Sequence, residues 1–171
     1  VTEHMMAERA LRQNEQAFRK IFVENPIGML IADLDYRVSR ANNAFSAMVG
    51  FLETELIGRD LRDSLFAQGP DESDRFNQLL RGEIASFQRE LTLKTRRGQP
   101  VWTHMTVSVL RDPENRPAAL LHMVENIQDR KSAEEQVLAY QAQLQSLASE
   151  VALSEERERR RIATNLHDQI G

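Results

Sequence analysis

Hydrophobic positions change their spacing several times along the chain, and each change predicts an element. Residues 7–22 set Leu11, Phe18, Ile21 and Phe22 near helical spacing among strong helix formers, which predicts an amphipathic leading helix stopped by Asn25-Pro26. Gly28 to Asp33 is a short apolar run that reads as a strand, Asp35-Tyr36 as a turn, and Arg37 to Ala41 as a second strand. From Asn42 to Arg81 the strand pattern gives way to short helical pieces: Asn43 to Val49, Glu53 to Ile57, Leu61 to Phe66 and Asp71 to Leu80. Glycines at 50, 58, 69 and 82 punctuate them as helix stops. Period two returns at Ser86 to Thr95, where Phe87, Arg89, Leu91 and Leu93 alternate with Gln88, Glu90, Thr92 and Lys94. Arg97-Gly98 then marks a hairpin. In the next strand Val101, Met105, Val107 and Val109 alternate with Trp102, His104, Thr106 and Ser108, which puts Trp102 on the outer face. Asp112-Pro113-Glu114-Asn115 turns into a last strand, Ala118 to Ile127. The pattern predicts an α+β domain: a five-stranded antiparallel sheet with small helices on one face.

All five prolines and six of the seven glycines lie between Pro26 and Pro117, so residues 129–170 run on without a breaker. A helix there would be roughly 60 Å long. Val137, Tyr140, Leu144, Leu147 and Val151 recur at alternating spacings of three and four, the narrow seam of a coiled coil, and predict a homodimer contact. Past Ser154 the charged run Glu155 to Arg161 breaks the phase, and Ile162, Leu166 and Ile170 resume at intervals of four. Such a stutter locally unwinds a left-handed supercoil. The expected organisation is a leading helix over 1–21, an α+β domain over 22–128, a coiled-coil helix over 129–156, and the start of a further helix over 157–171.

Composition narrows the chemistry. With 41% hydrophobic and 28% charged residues the chain can build a packed core. A formal charge of −4 supplies no positive field for nucleic acid, so none is expected as a partner. Zero cysteines exclude disulfides, thiolate metal sites and cysteine nucleophiles, and a reducing cytoplasmic setting is expected. The longest apolar run, Ile27 to Ala32, is far short of the roughly 20 residues a spanning helix needs, so any membrane anchor of the parent protein is expected in another segment. His104 and His122 fall on consecutive strands where they could oppose one another, but no third ligand accompanies them and no metal site is expected.

Two stretches carry a resemblance. "ENPIGMLIADLDYRVSRANNAFSAMVGFLETELIGRD", "RRGQPVWTHMTVSVLRD" and "HMVENIQDRKSAEEQ" follow one another in the order of a PAS sensory domain, which residues 22 to 131 therefore resemble. The C-terminal "EERERRRIATNLHDQIG" resembles the phosphoacceptor helix of sensor histidine kinases, in the subclass with Arg-Ile-Ala, three residues, then His-Asp-x-x-Gly. That resemblance implies His167 as phosphoacceptor and Asp168 as its general base. It also implies, as partners, an ATP-binding kinase domain beyond Gly171, which would bring ATP and Mg, and a response regulator receiver domain. A neutral imidazole is a competent nitrogen nucleophile for phosphoryl transfer. No glycine-rich phosphate loop occurs in the chain, so this stretch is expected to be inactive alone.

The PAS resemblance also implies an interior that holds a small ligand in some members. Photoreactive flavin members require a cysteine, and haem members a histidine on the helix spanning Asp71 to Arg81; both are lacking. Phe45, Met48, Phe76, Leu80 and Met105 are the candidate pocket lining. The expectation is no cofactor, with a noncovalent flavin or an organic acid as the alternative. For the whole chain, the alternative to a kinase sensor is a dimeric PAS interaction module whose helix drives some other output.

Overall fold

The computed structural model describes residues 2–66 and 72–170. The chain divides into two compact units, Val1–Gln128 and Asp129–Gly171. The first contains helix α1 (Thr2–Phe18) with a π-helical turn (Arg19–Val23), strands β1 (Gly28–Ala32) and β2 (Val38–Ala41), helices α2 (Asn43–Val49), α3 (Glu53–Leu56), α4 (Leu61–Ser64) and α5 (Ser73–Arg81), and strands β3 (Ser86–Leu93), β4 (Val101–Arg111) and β5 (Pro117–Asn126). The long helix α6 (Gln128–Ile170) follows. The strands form one antiparallel sheet in the order β2-β1-β5-β4-β3, with helices on one face, the α+β architecture expected from the pattern.

The apolar run of β1 is explained by its place inside the sheet: flanked by β2 and β5, four of its five residues are buried. Gly28 opens it because helix α2 packs directly over this position. A Cβ there would sit 3.0 Å from the Val124 carbonyl oxygen and 3.3 Å from the Met48 methyl and the Phe45 Cα. Asn42 fixes this corner. Its buried Oδ1 accepts from the amides of Phe45 (2.9 Å), as the N-cap of α2, and of Met29 (2.8 Å). Its Nδ2 donates to the carbonyls of Phe22 (2.8 Å) and Ile27 (2.9 Å), tying the end of the leading segment to the sheet.

Element bounds shift little from the sequence reading. The leading helix starts earlier, at Thr2, and closes in a π turn that buries Phe22 and stacks its ring on Phe18 at 5.1 Å. The Asp35-Tyr36 turn is held by Asp33, whose Oδ1 accepts from the amides of Asp35 and Arg37, and Tyr36 adopts φ 66°. The expected helix start at Asp71 and the glycine stop at 69 lie outside the described residues.

The core joins Leu30, Phe45, Val49, Leu56, Leu61, Leu65, Leu79, Leu93, Met105, Val107, Leu120 and Val124, from the four small helices α2 to α5, the segment after α4, and the strands. Among the described residues no helix is long and apolar enough to cross a membrane.

Candidate functional site

Helix α6 presents the candidate phosphoacceptor. His167 lies in its last turn and, like every described residue from 133 on, is exposed. Small residues, Ala163 and Thr164, stand one turn earlier, and the Thr164 hydroxyl donates back to the Arg160 carbonyl at 2.9 Å. Asp168 follows His167 about 100° further around the helix, so the two side chains do not face each other along a regular helix. The charged run before them is laced by Arg160–Glu156 (2.8 Å) and Arg161–Glu158 pairs. The Arg161 guanidinium holds the Glu158 carboxyl below the usual carboxylate range. Val137, Tyr140, Leu144, Leu147 and Val151 form one stripe, each more than half exposed. Gly171, which completes the His-Asp-x-x-Gly string, lies outside the described residues.

In the PAS-like interior the structure divides the candidate lining. Phe45 and Met48 pack beside Gly28 at the β1 end, Phe45 fully buried and Met48 partly. Phe76, on α5, and Met105, on β4, are buried in the same core, beside Arg89. Leu80 is half-buried, while Leu79, one residue earlier and completely inaccessible, is the α5 residue that enters the core. Adjacent helix positions point about 100° apart, and the α5 face is set by Phe76, from which Leu79 is the i+3 neighbour.

The histidine pair is corrected. In the β4–β5 register His104 pairs with Glu125 and His122 with Val107, so the two histidines occupy opposite faces of the sheet. A register shift between Leu110 and Arg111 changes the parity of the hairpin, which a count from the turn does not reveal. Among the described residues no cluster of His, Asp and Glu could hold a metal ion. Trp102 does fall on the face opposite Met105 and Val107, and is half-buried.

His122 is the polar surprise of the core. It is fully buried, with Nδ1 3.4 Å from the Met105 sulfur and no partner for Nε2. Burial, reinforced by the neighbouring Arg89 guanidinium, pushes its pKa down to about 3, so the ring is neutral. Arg89 stands opposite Met105 in the β3–β4 register. Its Nη1 donates to Glu72 at 2.7 Å, its Nη2 approaches the Met105 sulfur at 3.9 Å, and its buried Nε has no acceptor. The guanidinium lies 4.8 Å from the Phe66 ring centre and 6.0 Å from that of Phe76. The Tyr36 ring meets Phe76 edge-on, and burial raises its phenol above the ordinary value. Reading the sequence for function passed over Arg89, although its place between Phe87 and Leu91 on the inward parity of β3 was the available signal.

The family profile described as PAS fold matches residues 24–132. The sensor histidine kinase TmoS of Ectopseudomonas mendocina is 22% identical over 150 residues, covering 85% of this chain and 15% of its own length. The probable diguanylate cyclase DgcE of Escherichia coli is 25% identical over 140 residues, covering 79% of this chain and 13% of its own. Among solved structures, the PAS domain of an HTR-like protein from Haloarcula marismortui superposes with a TM-score of 0.57 at 19% identity, over 72% of this chain and 99% of that one. The chain thus spans only a small part of both curated relatives.

Proposed function

Because this chain belongs to the PAS fold family, a family of signalling input domains, we propose that it is the sensory and signal-transmitting portion of a two-component sensor histidine kinase. The observation that carries this reading is a PAS unit followed at once by a 43-residue helix whose last turn exposes His167 within Arg161-Ile162-Ala163-Thr164-Asn165-Leu166-His167-Asp168. PAS input biases the packing of two such helices, and that packing sets whether the His167 imidazole meets a kinase domain, attacks the γ-phosphorus of ATP with cleavage of its bond to the bridging oxygen and release of ADP, and passes the phosphoryl group to a response regulator. Asp168 acts as general base at the other ring nitrogen. The similarity to TmoS supports the kinase setting. A second reading, a dimeric PAS module whose helix drives a non-kinase output, is supported by the similarity to a probable diguanylate cyclase.

Phosphorylation separates the two. In the full-length protein, with ATP and Mg, label is expected on His167 and is expected to vanish in His167→Gln while dimerisation and folding persist, since an exposed polar exchange usually changes stability by less than about 0.5 kcal/mol. Asp168→Asn is expected to slow labelling about 100- to 10,000-fold, the usual worth of general acid–base assistance. Label on another residue, or none, overturns the kinase reading in favour of the second; normal labelling of Asp168→Asn removes Asp168 as base.

A further inference from the structure

Between α1 and the sheet the chain carries one residue more than an α-helical turn holds. The Glu24 amide donates to the Arg19 carbonyl at 3.0 Å, five residues back, and Arg19–Val23 form a π turn. Isolated π turns are rare and recur at functional sites, so this one calls for a reason. Its end next to the sheet is fixed. Phe22 is buried, and its carbonyl, whose α-helical partner would be residue 26, a proline without an N–H, accepts instead from Asn42 Nδ2 at 2.8 Å. Its other end is not fixed, since no residue of α1 is buried.

What keeps the additional residue in the turn is a clasp on an aromatic pair. In an α turn the positions behind Phe22 are shared by Phe18 and Arg19, at i−4 and i−3. The wider π turn moves Arg19 aside and leaves Phe18 there alone, its ring stacked on that of Phe22 with 12° between the planes. The Arg40 guanidinium lies over both rings, 5.5 Å from the centre of Phe18 and 5.7 Å from that of Phe22. An α turn would bring the Arg19 guanidinium towards it instead, like charge against like. Arg40 is itself held by Glu53 in the first turn of α3: its Nε donates to Oε1 at 2.9 Å, and the same oxygen accepts from the Ala41 amide at 3.1 Å. Leu56 seats α3 in the core. The clasp therefore joins the helical face of the domain to α1 across β2. Its ion pair is partly exposed, at 46% and 35%, and such pairs exchange readily.

We propose that Arg19–Val23 is a two-register joint, π while Arg40, held by Glu53, covers Phe18 and Phe22, and α when a shift of α3 withdraws Glu53. Returning the turn to α geometry winds α1 round by one residue, about 100° about its axis, while Phe22 and Asn42 stay in place. A movement of α3 is delivered in this way as rotation of α1.

The joint goes beyond the kinase reading, and its test involves no phosphorylation. The chain has no cysteine, so nitroxide labels attach only where a cysteine is introduced. Labels at Arg12→Cys or Gln13→Cys, neighbours on two faces of α1, are each paired with one at Gln88→Cys on β3 in the 171-residue chain, diluted with unlabelled chain, and the distances are measured by double electron–electron resonance. A turn of 100° carries a position on the surface of a helix by about 8 Å. Arg19→Glu turns the repulsion of the α register into attraction and removes nothing buried, and Arg40→Ala removes the clasp. Each is expected to shift at least one of the two distances by about 4 Å or more. Deleting Lys20 takes the additional residue out, leaves Phe18 behind Phe22, and is expected to keep the parent distances and to abolish the response to both substitutions. Should the deletion variant fail to fold, the two substitutions decide by themselves. Unchanged distances in either substitution, or equal shifts with and without Lys20, would overturn the proposal.

Discussion

At the residue scale, the core is governed by a few polar side chains whose surroundings decide their chemistry. His122 is the sharpest case. Its folded-state pKa of about 3 lies below the ordinary 6.5, so the folded protein holds a neutral ring where the unfolded chain accepts a proton as the solution acidifies. The neutral ring's contribution to stability is therefore complete above pH 6.5 and is lost progressively as pH falls from there towards 3. Its slope approaches about 1.4 kcal/mol per pH unit. Between pH 7.5 and 5.0 the parent protein is expected to lose about 2 kcal/mol through this group alone. Urea unfolding at the two pH values checks it, with His122→Leu as the reference that removes this titration and leaves the carboxylates, such as Glu55 and Asp60, which are also depressed. Equal pH dependence in the two proteins would mean that His122 takes up its proton within the folded state.

At the element scale, helix α6 has no tertiary reason to be helical along its length: from residue 133 to its end every described side chain is exposed. A stripe of five apolar residues on a long exposed helix is a liability unless it is covered, and its spacing suits a second copy of itself. Leu144→Lys combined with Leu147→Lys is expected to convert a dimer into a monomer, measured by light scattering; an unchanged dimer would move the interface to the PAS unit or its leading helix. The elements were legible in the sequence where one local signal dominated. Period two in β3 and β4 and the glycines that end α2 and α5 each decide a boundary by themselves. What a single strand cannot encode is its neighbour's register. His104 and His122 looked equivalent until the shift beside Arg111 placed one on each face, and Leu80 looked as suitable as Leu79 until Phe76 fixed the face of α5. Arg89 was legible by parity, but its meaning depended on Glu72, Met105 and His122, which come from three other elements.

At the scale of the whole molecule, the proposed function requires that a change in the PAS unit reach His167 along α6, and the weak point of that helix is where its apolar phase slips. Residues 155–161 carry no apolar side chain, and the ion pairs there are exposed, hence readily exchanged. Two nearly equal packings of such a segment can be interconverted by modest energies: reversing a population from 1:99 to 99:1 takes about 5.5 kcal/mol. Perturbing the PAS core involves energies of that order, since removing a buried leucine side chain such as that of Leu79 costs about 2–5 kcal/mol of stability. Leu79→Ala is therefore expected to alter the rate of His167 labelling severalfold in the full-length protein. Deleting residues 155–158 moves Ile162 to the position four residues after Ser154, shortens the stretch without apolar side chains to three residues, and so favours one of the two packings. In that background labelling is expected to be fixed high or low, and Leu79→Ala to change it by less than twofold. If Leu79→Ala shifts labelling equally with and without the four residues, the charged run is only a solvated spacer, and the signal crosses it as rigid rotation of an uninterrupted helix.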